Sequence, residues 1–272
     1  MTSGAPFTAA CVQLRTGNDV AANIDMAADL IREAHRSGAQ FIATPEMTHV
    51  MEVASKPLFA KIVGQEDDPG VARFSALAKE LGVWLEIGSL AIRIAERQAA
   101  NRCFVFGPDG GIAATYDKIH MFDVDLASGE SYRESKNFRP GRAPVVVDLP
   151  WMTLGLTICY DVRFAYLYRA LAHAGATLIT VPAAFTQVTG EAHWHTLLRA
   201  RAIETGCFVM APAQGGTHEN GRRTFGHSLI VSPWGAVLAE GDQDPGVVMA
   251  DIDPELVGKA RSHIPSLKHD VA

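Results

Sequence analysis

Thr153-Leu-Gly-Leu-Thr-Ile-Cys-Tyr-Asp-Val-Arg-Phe-Ala-Tyr-Leu-Tyr-Arg-Ala-Leu-Ala-His-Ala-Gly175 passes from an apolar run through a short polar bend into a helical pattern. Thr153–Ile158 reads as a buried strand. Phe164–Ala174 places Leu167, Leu171 and Ala174 on one helical face and stops at Gly175. Thr177–Val181 is then a second apolar run, so the stretch is a strand–helix–strand unit, the building block of α/β folds.

The same alternation extends in both directions. Further strands are expected at Phe7–Leu14, Phe41–Thr44, Val83–Leu90, Arg102–Phe106, Ile112–Tyr116, Val145–Leu149, Cys207–Ala211, Ser228–Ser232 and Gly246–Ile252, where β-branched residues are flanked by Gly or Pro. Helices are expected at Asp19–Arg36, Pro69–Leu81 and Glu191–Thr205, each followed closely by glycine. The turn Gly107-Pro-Asp-Gly110 lies among consecutive strands between Val83 and Tyr116, which makes part of the sheet an antiparallel hairpin. Asp123–Pro144 is polar and aperiodic and reads as a long loop, a type of segment often tied to function. No linker or repeat interrupts the pattern, so residues 1–272 are expected to form one domain.

Composition excludes several classes. Among 272 residues, 48% are hydrophobic and 20% charged, and the net charge is -6. This is the balance of a globular protein, without the basic face of a nucleic-acid binder. No apolar run approaches the roughly 18 residues of a membrane helix. The start, MTSGAPFTAACVQL, lacks the basic and apolar regions of a secretory signal. Cys11, Cys103, Cys159 and Cys207 form no CxxC pair. They are expected to be reduced thiols in a cytoplasmic protein rather than zinc ligands.

Three segments can carry chemistry. Cys159 stands between a strand and a helix, where a helix dipole favours the reactive thiolate and backbone N–H groups can hold an oxyanion. A buried structural cysteine is the plain alternative. Glu46, in Thr44-Pro-Glu46, follows the strand Phe41-Ile-Ala and can act as a general base at a strand's carboxyl end. Taken alone it reads rather as part of a helix N-cap region or as a solvated carboxylate. Lys118, in Tyr116-Asp-Lys118-Ile-His-Met-Phe-Asp123, can stabilise an oxyanion, or be one more surface lysine.

Together these segments change the reading. Glu, Lys and Cys in this order, in the contexts TPE, YDKIHMFD and ICYDVRF and followed by FGHS…PWG, resemble the nitrilase, or carbon–nitrogen hydrolase, superfamily along nearly the whole chain. The resemblance implies a four-layer α-β-β-α sandwich. It makes Cys159 the nucleophile and Glu46 the general base. Lys118 and the Tyr160 N–H form the oxyanion hole, and Glu134 of Tyr132-Arg-Glu-Ser135 is a supporting acid. It further implies hydrolysis of a small-molecule amide through a thioester, with no metal or organic cofactor, in a homodimer or larger homo-oligomer.

Cys159-Tyr-Asp161 resembles the amidase branch rather than the Cys-Trp-Glu of true nitrilases. The run from Ala183 to Ser228 is similar to the deaminated-glutathione amidase group. ω-Amidases acting on α-ketoglutaramate, N-carbamoyl amino acid hydrolases, and a catalytically silent binding protein of the same fold are the other readings. Two acidic residues of the family pattern are replaced here: Arg163-Phe-Ala165-Tyr166 stands for R-F-P-E, and Ala192-His-Trp-His195 for A-H-W-E. Both positions are expected near the cysteine or on a helix bordering the pocket. A carboxylate-bearing substrate calls for an arginine. Arg163 is the candidate, with an ion pair to Asp161 as its alternative, and Phe185 and Thr186 are candidate pocket residues beside ordinary loop packing. A metal on His193 and His195 is set aside, since residues two apart on a helix diverge and His227 is distant in sequence. Gly110-Gly111 and Gly215-Gly216 match no phosphate-binding loop and read as turns.

Overall fold

The computed structural model describes residues 4–126 and 129–270. The outermost residues of the expected 1–272 domain, and residues 127 and 128 of the expected loop, lie outside that range.

The elements in chain order are β1 (Phe7–Gln13), α1 (Val20–Arg36), β2 (Phe41–Ala43), α2 (Ser55–Lys61), α3 (Pro69–Leu81), β3 (Trp84–Ala95), β4 (Gln98–Phe106), β5 (Ile112–Asp117), β6 (Asp123–Asp125) and β7 (Ser131–Arg133). There follow β8 (Val145–Asp148), β9 (Thr153–Leu156), α4 (Ala165–His173), β10 (Leu178–Thr180), α5 (Gln187–Thr205), β11 (Phe208–Ala211), β12 (Gly215–Thr217), β13 (Arg223–Phe225), β14 (Leu229–Val231), β15 (Val237–Glu240), β16 (Gly246–Ile252) and α6 (Glu255–His263).

Two six-stranded sheets share one plan. The first runs β16-β1-β2-β3-β4-β5 and the second β15-β14-β11-β10-β9-β8. In each, three central parallel strands (β1-β2-β3 and β9-β10-β11) are flanked by antiparallel ones. Period-2 alternation sorts the first sheet's side chains between two cores. Ala9 and Cys11 of β1, Phe41 and Ala43 of β2, and Cys103 and Val105 of β4 join the core shared with the second sheet. Ala10, Val12, Ile42, Phe104 and Phe106 face the other way, against Ile24, Ala27 and Ile31 of α1 and Phe74 and Leu77 of α3. Helices α4 and α5 cover the second sheet with Leu167, Leu171, Leu198 and Ala202. The result is the four-layer α-β-β-α sandwich of the nitrilase type.

Caps set the helix boundaries. Asp19 accepts from the Ala22 N–H at the start of α1, and Asp68 accepts from the Gly70 and Val71 N–H groups ahead of Pro69. Thr186 caps α5, which begins at Gln187 rather than at the expected Glu191. Three expectations need correction. Strand β3 continues past Leu90 to Ala95 and turns tightly into β4, which begins at Gln98 rather than Arg102. Part of Asp123–Pro144 is ordered as the β6–β7 hairpin and a 3-10 turn at Glu134–Lys136. The helix after Cys159 starts at Ala165, one residue beyond the expected Phe164, and Cys159–Arg163 forms a 3-10 turn ahead of it.

Candidate active site

Strand ends converge on one cavity. Glu46 follows β2, Lys118 follows β5, Cys159 follows β9, and Ala184, Phe185 and Thr186 follow β10. In α/β sheets such carboxyl ends are where loops leave the sheet and functional groups collect. Gly88 of β3 permits the close approach, since a Cβ there would lie 2.1 Å from the Thr44 carbonyl oxygen and 2.3 Å from Pro182 Cβ. The cavity measures about 520 Å³ and is walled by the β6–β7 hairpin through Tyr132 and Arg133. Glu46, Lys118, Glu134, Cys159, Tyr160, Phe185 and Thr186 all line it, so the fold assembles these seven sequence candidates in one place.

The charges form a closed cluster. Lys118 Nζ lies 2.8 Å from Glu46 Oε1, 2.8 Å from Glu134 Oε2 and 3.0 Å from Glu134 Oε1. The Ala184 N–H donates to Glu46 Oε2 at 3.0 Å, and the Phe122 N–H to Glu134 Oε2 at 2.7 Å. The Cys159 thiol and the Glu46 carboxylate line the same cavity and are electrostatically coupled. Burial pushes the Glu46 carboxyl up, but the Lys118 ammonium more than offsets this and holds it below the usual carboxylate range. Burial opposes the charge on Lys118 as well, and its two carboxylate neighbours keep the ammonium protonated well beyond the ordinary range.

Burial, reinforced by the Glu46 charge, pushes the Cys159 thiol well up, with Lys118 acting in the opposite direction. This corrects the expectation of a dipole-favoured thiolate. The resting pair is a thiol beside a carboxylate, because burial and the Glu46 charge both disfavour the thiolate, and a short 3-10 turn rather than a helix N-terminus follows the sulfur. Cys159 holds a left-handed φ of 49°, an uncommon conformation for a non-glycine residue. Its own N–H is tied to the Pro182 carbonyl at 2.9 Å. Tyr160 is the second residue of the turn, where an N–H has no carbonyl of the turn to pair with. A proton can therefore pass from thiol to carboxylate beside a fixed cation and a free backbone donor.

Asp161 binds the lysine segment to the cysteine turn. Its Oδ2 accepts from the Tyr116 hydroxyl at 2.7 Å and the Ile158 N–H at 2.9 Å, and its Oδ1 accepts from the His120 N–H at 3.0 Å. The motifs around Lys118 and Cys159 are thus two halves of one hydrogen-bonded structure.

Asn101 and Arg222 escaped the sequence reading. Asn101 Nδ2 donates to Glu46 Oε1 at 2.9 Å and to Glu134 Oε1 at 3.1 Å, holding both carboxylates on one side of Lys118. Asn101 stands just before the expected strand Arg102–Phe106, where nothing local marks it as buried at 0% exposure. Arg222 lines the cavity. Its Nη2 donates to the Ala184 carbonyl at 2.6 Å, its guanidinium lies 5.5 Å from the Tyr132 ring centroid, and its buried Nε has no partner among the described residues. Nothing local in the sequence separates it from Arg223.

Arg163, by contrast, is not among the cavity-lining residues. Its guanidinium sits 5.3 Å from the Phe185 ring centroid and contacts His193 Nδ1 at 3.3 Å. Asp161 spends its oxygens on Tyr116, His120 and Ile158, so the expected Arg163–Asp161 pair does not form either. Tyr166 and His195 also lie off the cavity wall: the Tyr166 hydroxyl bonds His120 Nε2, and His195 Nε2 bonds Glu240 Oε1 at 2.9 Å. These two departures do not shape the pocket. Sequence distance misled the reading of His227, which the fold brings onto the same Glu240 oxygen.

A family model described as carbon-nitrogen hydrolase matches residues 8–262. The chain belongs to the carbon-nitrogen hydrolase family. This hydrolase is 37% identical to a deaminated glutathione amidase of Synechocystis over 98% of each chain. It is 36% identical to an omega-amidase NIT2 of Xenopus tropicalis, over 98% of this chain and 97% of that one. The crystal structure of Saccharomyces cerevisiae Nit3, a member of branch 10 of the nitrilase superfamily, superposes with a TM-score of 0.86 at 27% identity, covering 96% of this chain and 95% of that one. Family and amidase-named relatives together make the hydrolase an amide-hydrolysing enzyme. Among the described residues no helix is long and apolar enough to cross a membrane.

Proposed function

We propose that the enzyme hydrolyses a carboxylate-bearing linear amide, deaminated glutathione above all, through a thioester on Cys159. The observation that carries this is one cavity wall shared by Cys159, Glu46 and Lys118, with Glu46 Oε1 held 2.8 Å from Lys118 Nζ. Glu46 takes the thiol proton and the sulfur attacks the amide carbon. Lys118 and the Tyr160 N–H hold the oxyanion. Glu46 returns the proton to the leaving nitrogen, ammonia departs, and a thioester remains. A water then gives its proton to Glu46 and attacks the thioester, releasing the acid and restoring the thiol. The covalent intermediate divides one difficult step into two. Glu134 and Asn101 keep Lys118 and Glu46 in register.

Arg222 is the carboxylate partner, in place of Arg163. A guanidinium with an unspent buried N–H suits a carboxylate. The cavity of about 520 Å³ falls in the range of sites for extended small molecules. It leaves room beyond the short chain of α-ketoglutaramate, which favours the longer deaminated glutathione. The near-equal likeness to an omega-amidase keeps α-ketoglutaramate as the second reading.

Residues 1–272 act in this reading as one domain, supported by the core that joins the two sheets. Cys11, Cys103, Cys159 and Cys207 are all free, which fits a reducing, cytoplasmic location. Exposed Ile203, Trp234, Val237 and Leu238 supply apolar surface for a homodimer or larger homo-oligomer. The test is ammonia release from deaminated glutathione, α-ketoglutaramate, N-carbamoyl amino acids and simple nitriles. Deaminated glutathione should give the highest kcat/KM. A preference for nitriles or N-carbamoyl compounds would overturn the reading.

A further inference from the structure

Three side chains outside the cavity meet at one point. His195 comes from α5, His227 from the link between β13 and β14, and Glu240 from the end of β15. His195 Nε2 and His227 Nδ1 each lie 2.9 Å from the same carboxylate oxygen, Glu240 Oε1. One potential ligand atom from each residue lies within 4.8 Å of the other two. The three side chains are only partly exposed, at 37%, 27% and 36%, so an ion can reach them without the site being a loose surface.

We propose that His195, His227 and Glu240 form a binding site for a divalent transition-metal ion, with zinc the best fit. Two imidazole nitrogens and one carboxylate oxygen are a donor set that zinc accepts in tetrahedral geometry. Metal–ligand bonds of about 2.0–2.1 Å place tetrahedral ligands roughly 3.3 Å apart. Each histidine nitrogen would move a few tenths of an ångström from Glu240 Oε1 to admit an ion, and the two nitrogens, within 4.8 Å of each other, would settle at a similar separation. Each ring would present its facing nitrogen bare and carry its proton on the other, so binding exchanges two N–H···O contacts for three metal bonds. Water fills the fourth position.

Geometry beyond the ligands supports preorganisation. The His227 ring stacks on Phe225 at 4.3 Å between centroids, and the His195 ring meets the edge of the same Phe225 at 6.0 Å. The His227 backbone is held in a left-handed conformation at φ 54°. Its N–H donates to the Asp242 carbonyl at 2.7 Å, and its carbonyl accepts from Trp194 Nε1 at 2.8 Å. A residue in that backbone region is kept there by its surroundings. The ion would link α5, whose first residues line the cavity, to the outer strand of the second sheet.

The test titrates the tag-free chain with Zn2+ by calorimetry and with Co2+ by absorption, beside His195→Ala and Glu240→Gln. One ion should bind per chain with micromolar affinity. The cobalt spectrum should show visible bands of nitrogen and oxygen ligation without a thiolate charge-transfer band, which separates this site from Cys159. Each variant should keep its thermal unfolding profile and weaken binding at least tenfold. Equal binding by the variants, a thiolate-dominated spectrum, or no binding by the parent chain would each overturn the assignment.

Discussion

His120 Nδ1 lies 2.7 Å from Asp161 Oδ1, and this contact joins the segment that carries Lys118 to the turn that carries Cys159. Asp161 is fully buried, so its other partners, Tyr116 and the Ile158 N–H, depend on it as well. Asp161→Ala strands these donors. Each unmet buried group costs roughly 1–3 kcal/mol. We expect a stability loss of about 3 kcal/mol or more in urea unfolding, together with lost amide hydrolysis. A loss below about 1 kcal/mol would show that the joint does not hold the site together.

Asn101 touches no substrate in this account and acts through Glu46 and Glu134. A donor to a carboxylate stabilises its charged form. Asn101→Ala should therefore raise the Glu46 pKa and move the acid limb of kcat/KM to higher pH. kcat should fall roughly tenfold to a hundredfold, less than the roughly 10²–10⁴-fold of a whole general base, with little change in KM. An unmoved acid limb, read from the pH–rate profile, would count against this positioning role.

Arg222 should discriminate by charge. Arg222→Met is expected to lower kcat/KM for carboxylate-bearing amides at least tenfold, as loss of a charge-assisted pair costs about 1.5–3 kcal/mol. An uncharged amide of similar length should be nearly unaffected. Equal losses on both substrates would remove Arg222 from substrate recognition.

Glu86 links folding to pH. It is buried between the sheets, where it accepts from Thr180 Oγ1 at 2.8 Å while its Oε2 has no partner among the described residues. Burial raises its pKa from 4.5 to about 7. The neutral acid is thus the form the fold favours. Its stabilising contribution is complete below about pH 4.5 and is lost as pH rises through about 7. Glu86→Gln should gain on the parent chain between pH 5 and pH 8 by up to roughly 3 kcal/mol in denaturant unfolding. An unchanged difference across that interval would contradict the assignment.

Much of this was legible from sequence. The β9 and α4 patterns, the helices α1 and α3, and the motifs around Glu46, Lys118 and Cys159 are local signals, and the fold follows them. Glu134 was also legible through its motif. The first turn of α5 was not, because Val188, Thr189 and Gly190 are poor helix formers and only the Thr186 cap holds them in place. Hairpin β6–β7 has only three residues in each strand, Asp-Val-Asp against Ser-Tyr-Arg, too few for periodicity to show. Asn101, Arg222 and the His195–His227–Glu240 group depend on contacts between residues far apart in the chain, which local pattern does not encode.

The most direct test of the central claim is ammonia release from deaminated glutathione by Cys159→Ala. A folded variant with no turnover above background is the predicted result. Retained turnover would contradict the assignment of Cys159 as the nucleophile.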